Sequence, residues 1–566
     1  MPSPLRVVVV GAGPKALFAL EQLRAHVDDT RAADRIAVTV VDPGPEPGTG
    51  RAYATDQPSL LRLNVDARIL DAPAGDRLPS FPEWVARTHP ALADEPFPPR
   101  AVVGRYLRER WDRLSAGPPA GWIRVRRARV TALRREHQGW MVTAVGPDAA
   151  GEHLGPFDEV LVATGHAERH RGALAERWRA PQPLVPSALP VAPLLGPDVV
   201  PPASRVVVRG GALTFLDVAL ALTEGRGGRF TETGGAALAH HRGAAEPAVI
   251  LPTTRHGLLL DAKPDPRRPL AAPVLAVLDR ARARLWSLGA DAPVDRVLDG
   301  VAATAAEVLR VVRPDTTDAR SQVDDTLRTG AEPDLLPGPG RAATALTRSV
   351  EVARGSRSPG PAWALGRTWS ALYPQVTAAL RDSSADRQAW GRFRAAAGVL
   401  ERFAFGPPLV TARKLLGMVG SGTVDLSAVD RSVRIDGDGV HGLPDGSPPP
   451  DLVIDAVLSP PGVVDVRDDL IEQLRTDGLV SLRPGRRGVR VDEAGTSCDA
   501  HGAPVTGLAL LGRPTEDHVI GHDTLNRHLH GEISRWALRV AAGATAPDQI
   551  SVPHLPAMYA DEQESR

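Results

Sequence analysis

The sequence has little cysteine, little lysine and no long apolar run, and each shortage excludes a class of protein or site. Cys498 is the single cysteine among 566 residues, which excludes an intramolecular disulfide, a cysteine-rich metal site and a redox-active dithiol. No run approaches the ~18 apolar residues of a membrane-spanning helix. The apolar run Leu5–Val10 near the N-terminus is too short for a signal peptide. We therefore expect a cytoplasmic protein that does not associate with a membrane.

The charges of the chain balance. There are 67 basic and 67 acidic residues and the net charge is zero, which argues against a broad basic surface for nucleic acid. Arginine supplies nearly all of the positive charge. The three lysines, Lys15, Lys263 and Lys414, are rare enough that each is a candidate for a specific role.

The order of apolar runs predicts an α/β fold. A chain of 566 residues is too long for one hydrophobic core. The runs Leu5–Val10 and Ile36–Val41 do not alternate with polar residues, which is typical of parallel strands buried on both faces. A helical pattern over residues 14–23 separates them and completes a strand–helix–strand unit. The same order begins again at residues 205–217, and a late strand at 507–511 precedes a final helix predicted over 525–541.

A glycine turn directly follows the first strand. Gly11, Gly13 and Ala16 give the pattern G-x-G-x-x-A. The first glycine permits a tight bend, the second lets the backbone approach a pyrophosphate, and the third small residue lets helix and strand pack closely. The helix that begins at Pro14 and Lys15 then presents free N–H groups to the phosphates. This context favours a dinucleotide, and FAD in particular, over a structural turn without a phosphate.

Two further strand ends support the dinucleotide. Asp42 ends the second strand and is placed to accept hydrogen bonds from a ribose. It follows the turn by more than the usual spacing of about 20 residues, because a polar loop at residues 28–35 extends the crossover. Gly165 ends a strand in Ala-Thr-Gly, which in flavoproteins with two dinucleotide domains passes close to the FAD domain. The alternative for Gly165 is a plain strand terminator.

The second glycine turn departs from the pattern. Gly210 keeps the first glycine, and Thr214 lies at the start of the following helix. Ala212 stands where the second glycine belongs, and its methyl group restricts the approach of a pyrophosphate. Phe215 stands at the third, small position. Arg255 follows the next strand and could pair with a 2′-phosphate, which favours NADPH over NADH; the alternative is an ordinary surface arginine.

We expect this order of turns and strands to give two Rossmann-like dinucleotide-binding domains, the second inserted in the first. The FAD-binding domain would occupy residues 1–200 and resume at 461–566. The NAD(P)-binding domain would occupy residues 201–460. Residues 270–415 are mostly helical in pattern and predict a helical insertion.

The histidines near the C-terminus do not predict a metal site. They lie at positions 518, 522, 528 and 530. Their spacing matches no standard zinc set, and no cysteine is close in sequence. We therefore expect no bound metal.

Six segments together resemble the two-domain FAD/NAD(P)-binding protein family, which is related to flavin-dependent N-hydroxylating monooxygenases. They are residues 11–17 (GAGPKAL), 48–56 (GTGRAYATD), 61–65 (LRLNV), 97–107 (FPPRAVVGRYL), 224–230 (EGRGGRF) and 512–517 (GRPTED). The resemblance extends in order over nearly the whole chain. This family includes the nitrosuccinate-synthase type of amino-acid N-oxygenase.

The resemblance implies roles for individual residues. Gly48, Gly50 and Arg51 would form a loop over the FAD pyrophosphate. Asn64 would lie beside the reactive edge of the flavin and orient oxygen or the nicotinamide; the alternative is a side chain that stabilises a turn.

Two residues of the last segment are implied at the other end of the flavin. Gly512 and Thr515 would bring backbone N–H groups to its far edge or to the ribityl chain. The alternative is an ordinary strand-to-helix turn.

We therefore expect an NAD(P)H-dependent FAD monooxygenase that uses O₂ to oxygenate a small amine or amino acid, with NADPH as the favoured donor. By the resemblance, the oxygen would go to nitrogen, as in specialised biosynthesis. The alternatives are an FAD-dependent dehydrogenase or reductase and a non-catalytic flavin-binding protein.

Overall fold

Two mainly parallel sheets and a helical segment make up the fold. The computed structural model describes residues 4–29, 35–70, 79–444 and 446–545. Part of the polar loop predicted at 28–35 lies outside these described residues. The mixed α/β class with parallel strands agrees with the prediction.

The first sheet has six strands. In spatial order they are Thr496–Cys498, Pro504–Leu510, Glu159–Val162, Leu5–Val10, Ile36–Val41 and Ile123–Arg126. All pairs are parallel except the first, which is antiparallel. Strands from the start, the middle and the end of the chain therefore share one sheet.

Residues 7–10 of the central strand Leu5–Val10 are buried on both faces, as the apolar run predicts. Val7 and Val9 belong to a core with the helices Pro14–Asp29, Arg100–Ala116 and Glu532–Thr545. Val8 and Val10 belong to a separate core on the opposite face. That core includes helix Asp469–Thr476 and a three-stranded antiparallel sheet, whose strands are Arg129–Glu136, Gly139–Val145 and Gly151–Phe157.

The second sheet has four parallel strands. In order they are Val249–Thr253, Arg205–Arg209, Leu452–Asp455 and Leu184–Val185. Its core includes helix Leu213–Leu222, with Phe215 fully buried. The edge strand Leu184–Val185 comes before residue 201, so this sheet draws on residues from both sides of the expected boundary.

Seven helices follow one another between residues 272 and 420. They are Ala272–Trp286, Val294–Val312, Ala319–Thr329, Arg341–Arg354, Pro361–Ala379, Arg387–Ala404 and Leu409–Gly420. Most of them pack around a core of their own that contains Trp369 and Trp390. The interruption at residues 330–340 contains the proline-rich break in the sequence pattern.

The remaining regular elements are short. They are the helices Phe81–Thr88, Val191–Leu194 and Ser427–Asp430, and the strand pairs Arg229–Thr231 with Ala239–His241, Arg434–Asp436 with Gly439–His441, and Val466–Arg467 with Arg169–His170. There are also single-turn 3₁₀ helices at Arg51–Tyr53, Ala67–Ile69, Pro90–Leu92, Glu224–Arg226 and Arg513–Thr515.

The last described helix begins later than predicted. Its bounds are Glu532–Thr545, whereas the sequence pattern placed its start at Leu525. The side chain of Asn526 accepts a hydrogen bond from the backbone N–H of His528 at 2.9 Å. Such a local bond offers the backbone an alternative to helix, so the periodic Leu525 and Leu529 lie in a turn region before the helix.

Two findings concern membranes and metals. None of the helices in the described ranges is both long and apolar enough to cross a bilayer. Within the same ranges, no three or more His, Cys, Asp or Glu side chains gather in a group that could hold a metal ion.

Candidate functional site

A cavity of about 620 Å³ lies at the carboxyl edge of the first sheet. Its wall is formed where the strands that end at Val10, Val41, Val162 and Leu510 pass into loops. This edge is where open parallel sheets bind their ligands. We call it the edge cavity. Nine of the predicted site residues line it: Gly11, Gly13, Pro14, Lys15, Asp42, Gly50, Arg51, Gly165 and Gly512.

The two glycines of the first turn have different surroundings. Gly11 has φ +100°, and a Cβ built on it would lie 2.4 Å from the carbonyl oxygen of Ala163. Only glycine therefore allows the turn to close against the strand Glu159–Val162. A Cβ on Gly13 would meet nothing nearer than the Cα of Gly50 at 4.0 Å. The space at Gly13 opens into the edge cavity, where a ligand backbone could approach, while Ala16 is fully buried beneath the turn.

Asp42 holds the turn as well as lining the edge cavity. One carboxylate oxygen accepts from the N–H of Ala12 at 2.8 Å and the other from the N–H of Gly44 at 2.6 Å. A carboxylate has about four acceptor positions, so Asp42 retains capacity for the hydroxyls of a ribose. The ribose role of Asp42 stays a prediction, and the sequence analysis missed its structural role.

The loop at residues 46–55 folds onto the glycine turn. The Gly48 N–H donates to the carbonyl of Ala12 at 2.6 Å, and a Cβ on Gly48 would lie 2.9 Å from the carbonyl oxygen of Leu107. Gly48 therefore supports the loop from behind, whereas Gly50 faces the edge cavity. The Glu46 carboxylate closes the loop, accepting from the N–H of Thr55 at 3.0 Å and from its hydroxyl.

Arg51 lies at the mouth of the edge cavity, and its side chain is 54% exposed. It pairs with Glu168 at 3.1 Å. Arg129 also lines the cavity and pairs with the other oxygen of Glu168 at 2.9 Å. Two guanidinium groups thus flank this mouth, and the sequence had identified only one of them.

Lys15 brings an unpaired positive charge into the edge cavity. It makes no ion pair or hydrogen bond through its side chain to any described residue. Burial lowers its pKa to about 8, although the carboxylates of Asp523, Glu516 and Glu532 act in the opposite direction. At neutral pH it remains mostly cationic. A buried cation beside a helix N-terminus suits the negative charge of a pyrophosphate.

The segment after the strand Pro504–Leu510 is held by its own side chains. The Thr515 hydroxyl bonds the carbonyl of Gly512 at 2.8 Å and the His522 ring at 2.5 Å. The Thr515 N–H also donates to the Gly512 carbonyl, at 3.1 Å. Thr515 is fully buried and does not line the edge cavity. These contacts favour the turn role for Thr515, and its contact with a flavin stays a prediction.

Glu516 and Asp523 complete this segment. The Glu516 carboxylate accepts from the N–H groups of Gly521 at 2.7 Å and of Asp523 at 3.1 Å. Burial, with a further contribution from Asp523, raises the pKa of Glu516 to about 8. Asp523 pairs with Arg513 at 2.5 Å, and both line the edge cavity.

Asn64 lies outside the wall of the edge cavity. Its amide nitrogen donates to the carbonyl of Phe405 at 3.2 Å, and its buried amide oxygen accepts from no described residue. Lys263 donates to the next carbonyl, that of Gly406, at 2.9 Å. Burial lowers the pKa of Lys263 to about 7, and no carboxylate in the described chain pairs with it. The sequence analysis noted Lys263 as rare without assigning it to a site.

The structure shows the surroundings of Ala212 and Phe215, the two residues of the second glycine turn that depart from the pattern. Gly210 has φ +107° and ends the strand Arg205–Arg209. Ala212 is exposed just before helix Leu213–Leu222, so its methyl group does not pack against the sheet. Phe215 fills the core instead of leaving space there. Thr214 is half-buried in the first turn of the helix.

Arg255 is exposed just beyond the strand Val249–Thr253. This strand neighbours Arg205–Arg209 with Thr253 opposite Arg209. Arg255 therefore lies at the same sheet edge as Gly210, and its role toward a 2′-phosphate stays a prediction.

Comparison with known proteins identifies the first part of the chain. Residues 8–167 match a family described as FAD-NAD(P)-binding, and these residues contain the glycine turn, Asp42 and most of the edge cavity. This part of the chain is therefore similar to the FAD-NAD(P)-binding family. The family resemblance and the prediction of FAD and NAD(P) as cofactors are confirmed.

The curated relatives are more specific. L-aspartate N-monooxygenase (nitrosuccinate-forming) of Streptomyces cremeus is 31% identical over 288 residues, which are 44% of this chain and 42% of that protein. Nitrosuccinic acid synthase npaA of Aspergillus oryzae is 30% identical over 273 residues, 46% of this chain and 41% of that protein. The matches therefore span less than half the length of these relatives.

Among solved structures, the ornithine N-hydroxylase of Kutzneria sp. 744 has a similar fold. The TM-score is 0.51 with 12% identity, covering 96% of this chain and 100% of that one. At this identity the likeness concerns the fold.

Proposed function

We propose that this protein is an NAD(P)H-dependent FAD monooxygenase that uses O₂ to oxygenate the amine nitrogen of a small amino acid. The observation that carries the proposal is the edge cavity, which is lined by both the Gly13 turn and the unpaired Lys15. Both lie in the part of the chain that matches the FAD-NAD(P)-binding family. The amino-acid substrate and the N-oxygenation rest on the similarity to the L-aspartate N-monooxygenase.

The same proposal includes two Rossmann-like domains, the second inserted in the first. Strand Pro504–Leu510 pairs with Glu159–Val162 in the first sheet, and all four strands of the second sheet lie between them in sequence. This order of strands supports the proposed insertion. The helices between 272 and 420 lie between the strands Val249–Thr253 and Leu452–Asp455 in sequence, which supports the proposed helical insertion.

The edge cavity fits FAD in volume and in chemistry. Ligand sites of about 300–1,000 Å³ are usual, and the edge cavity lies within that range. The space at Gly13 admits the pyrophosphate, Lys15 supplies a positive charge, and Asp42 accepts from a ribose. Arg51 adds a second cation at the mouth. The flavin, when bound, supplies the redox chemistry with O₂, while these residues bind and orient it.

Arg255 selects NADPH in this proposal. It is exposed at the carboxyl edge of the second sheet, level with the Gly210 turn, where the adenosine end of a dinucleotide binds in such sheets. A guanidinium can bind a 2′-phosphate through two parallel hydrogen bonds.

Asn64 and Lys263 are the residues that bind the amino-acid substrate in this proposal. They bond consecutive carbonyls, Phe405 and Gly406, so their side chains are close. The amide oxygen of Asn64 accepts no hydrogen bond from the described residues, so it can accept one from the N–H of an amine. Lys263 has no counter-ion among the described residues, and its cationic form suits a carboxylate. An amino acid carries both groups.

The first test is anaerobic mixing of the purified protein with NADPH, followed by oxygen and L-aspartate. We expect the visible flavin absorbance to bleach, and oxygen uptake to yield an N-oxygenated product detected by mass spectrometry. A yellow protein that neither NADPH nor NADH reduces would contradict the proposal.

The second candidate is an FAD-dependent dehydrogenase or reductase, which the unusual Ala212 favours because a methyl group there could weaken nicotinamide binding. Bleaching followed only by release of hydrogen peroxide, with no oxygenated product from any amino acid, would favour it. A flavin that no nicotinamide reduces would favour a non-catalytic flavin-binding protein.

A further inference from the structure

A second cavity lies within the helical segment, and we call it the helix cavity. It measures about 60 Å³ and lies between the loop at 258–264, the segment 330–335, and the helices Arg341–Arg354 and Pro361–Ala379. It shares no lining residue with the edge cavity. At ~10–15 Å³ for each water, it has room for about four or more water-sized groups, which is the scale of a very small organic molecule.

Glu332 brings a carboxylate into the helix cavity. One of its oxygens accepts weakly from the N–H of Ala362 at 3.4 Å. A Cβ on Gly360 would lie 2.0 Å from the same oxygen, so the glycine leaves room for this carboxylate. Glu332 forms no ion pair with any residue in the described ranges. Burial raises its pKa above the usual value.

Arg367 brings a guanidinium into the same cavity. It lies on helix Pro361–Ala379, more than one turn beyond the N–H that Glu332 meets. Its Nε is buried and donates to nothing, and the side chain has no ion-pair or hydrogen-bond partner among the described residues. Burial lowers its pKa. Glu332 and Arg367 line one cavity without pairing with each other.

The other charged side chains that line the helix cavity form ion pairs. Arg402 lies 3.5 Å from Asp261 and donates to the carbonyl of Leu259 at 3.2 Å. Arg348 pairs with Asp334 at 2.9 Å. The uncompensated charges facing the helix cavity are therefore one carboxylate and one guanidinium.

We propose that the helix cavity binds a small zwitterionic amino acid, with Glu332 holding its ammonium and Arg367 its carboxylate. Both residues are half-buried, and charges that are partly removed from water are costly when they have no partner. A ligand with an ammonium and a carboxylate on one carbon atom bridges the two groups and satisfies both, whereas a simple anion or cation leaves one of them unpaired. The volume favours glycine or alanine, and the half-buried Trp363 in the wall can cover their apolar side.

This site does not depend on the proposed oxygenation, because its residues are separate from the edge cavity. Titration calorimetry on the full-length FAD-loaded protein without NADPH tests it, with glycine and L-alanine as probes. Acetate and methylamine serve as single-charge controls. We expect saturable binding of at least one amino acid, and binding of each control weaker by about tenfold or more, since each loses a charge-assisted contact.

Variants locate the site. Glu332→Gln and Arg367→Met should each weaken amino-acid binding by about tenfold or more, and Arg367→Lys should restore part of it. Ala345→Leu should block binding by filling the helix cavity without removing a charge. The matched control is Arg328→Met, which changes an arginine that is 72% exposed and should bind as the wild type does. FAD content and the melting temperature verify folding.

Two results would overturn the inference. One is the absence of saturable binding of either amino acid to the wild-type protein. The other is binding that Glu332→Gln, Arg367→Met and Ala345→Leu leave unchanged. Because no nicotinamide or turnover is involved, these results are independent of whether the protein proves to be an N-oxygenase.

Discussion

The carboxylate of Asp42 accepts a hydrogen bond from the backbone N–H of Ala12 at 2.8 Å, across the end of two neighbouring strands. A second bond joins Asp42 to the N–H of Gly44 at 2.6 Å. The acid that the sequence assigns to a ribose therefore also fixes the turn that would receive the pyrophosphate. Loss of this side chain should consequently affect the protein before any cofactor is added.

Asp42→Ala should lower both stability and flavin retention. Two partly buried N–H groups would lose their acceptor, which costs about 1–3 kcal/mol for each group that water does not reach. Urea denaturation of the flavin-free protein measures the first effect, and the flavin-to-protein absorbance ratio measures the second. Asp28→Ala, which removes a half-exposed carboxylate near the end of helix Pro14–Asp29, is the control and should leave both values unchanged. A flavin-free Asp42→Ala protein as stable as the wild type would refute the structural role.

Gly11 and Gly13 should respond differently to a side chain. Gly11→Ala places a Cβ against the carbonyl of Ala163 at φ +100°, so it should destabilise the flavin-free protein by about 1–3 kcal/mol. Gly13→Val enters open space and should leave the flavin-free protein folded while abolishing flavin retention. Melting curves of both flavin-free variants and their flavin contents provide the comparison. A yellow Gly13→Val protein would remove the pyrophosphate site from this turn.

The sequence predicted the elements whose signal is local. The unbroken apolar runs around Val8 gave the buried central strand, and the glycine spacing at Gly11 gave the turn at its end. These succeed because backbone conformation and burial are decided by neighbouring residues. The start of the last helix was missed at Leu525, since the apolar spacing continues there while the side chain of Asn526 bonds the backbone locally.

The parts of the site that depend on distant residues could not be predicted. Asn64 and Phe405 are joined by a hydrogen bond although 341 positions separate them, and no pattern within either segment points to the other. The same holds for Glu168, which is shared by Arg51 and Arg129. A single sequence contains composition and periodicity, whereas tertiary contacts of this kind become visible only in the folded chain.

Arg255→Ala should weaken NADPH binding more than NADH binding. The loss of a charged contact to a 2′-phosphate is worth roughly 1.5–3 kcal/mol, or about tenfold or more in affinity, and NADH lacks that phosphate. Stopped-flow reduction of the flavin at increasing NADPH or NADH gives both dissociation constants. Arg434→Ala, an exposed arginine on a separate strand pair, should change neither. Equal weakening of the two donors by Arg255→Ala would remove its assigned role.

Lys263 should control the Michaelis constant of the amino-acid substrate. Its pKa of about 7 means that the ammonium is cationic below that pH and neutral above it. Because a carboxylate binds the cationic form, KM for L-aspartate should rise as the pH increases through about 7, with a smaller change in kcat. Lys263→Met should raise KM by about tenfold or more at neutral pH and remove this pH dependence, and Lys263→Arg should restore part of the binding. Lys414→Met removes a lysine of helix Leu409–Gly420 that is paired with Glu224, and this variant should retain the wild-type pH profile. A Lys263→Met enzyme with an unchanged KM and pH profile would show that the carboxylate binds elsewhere.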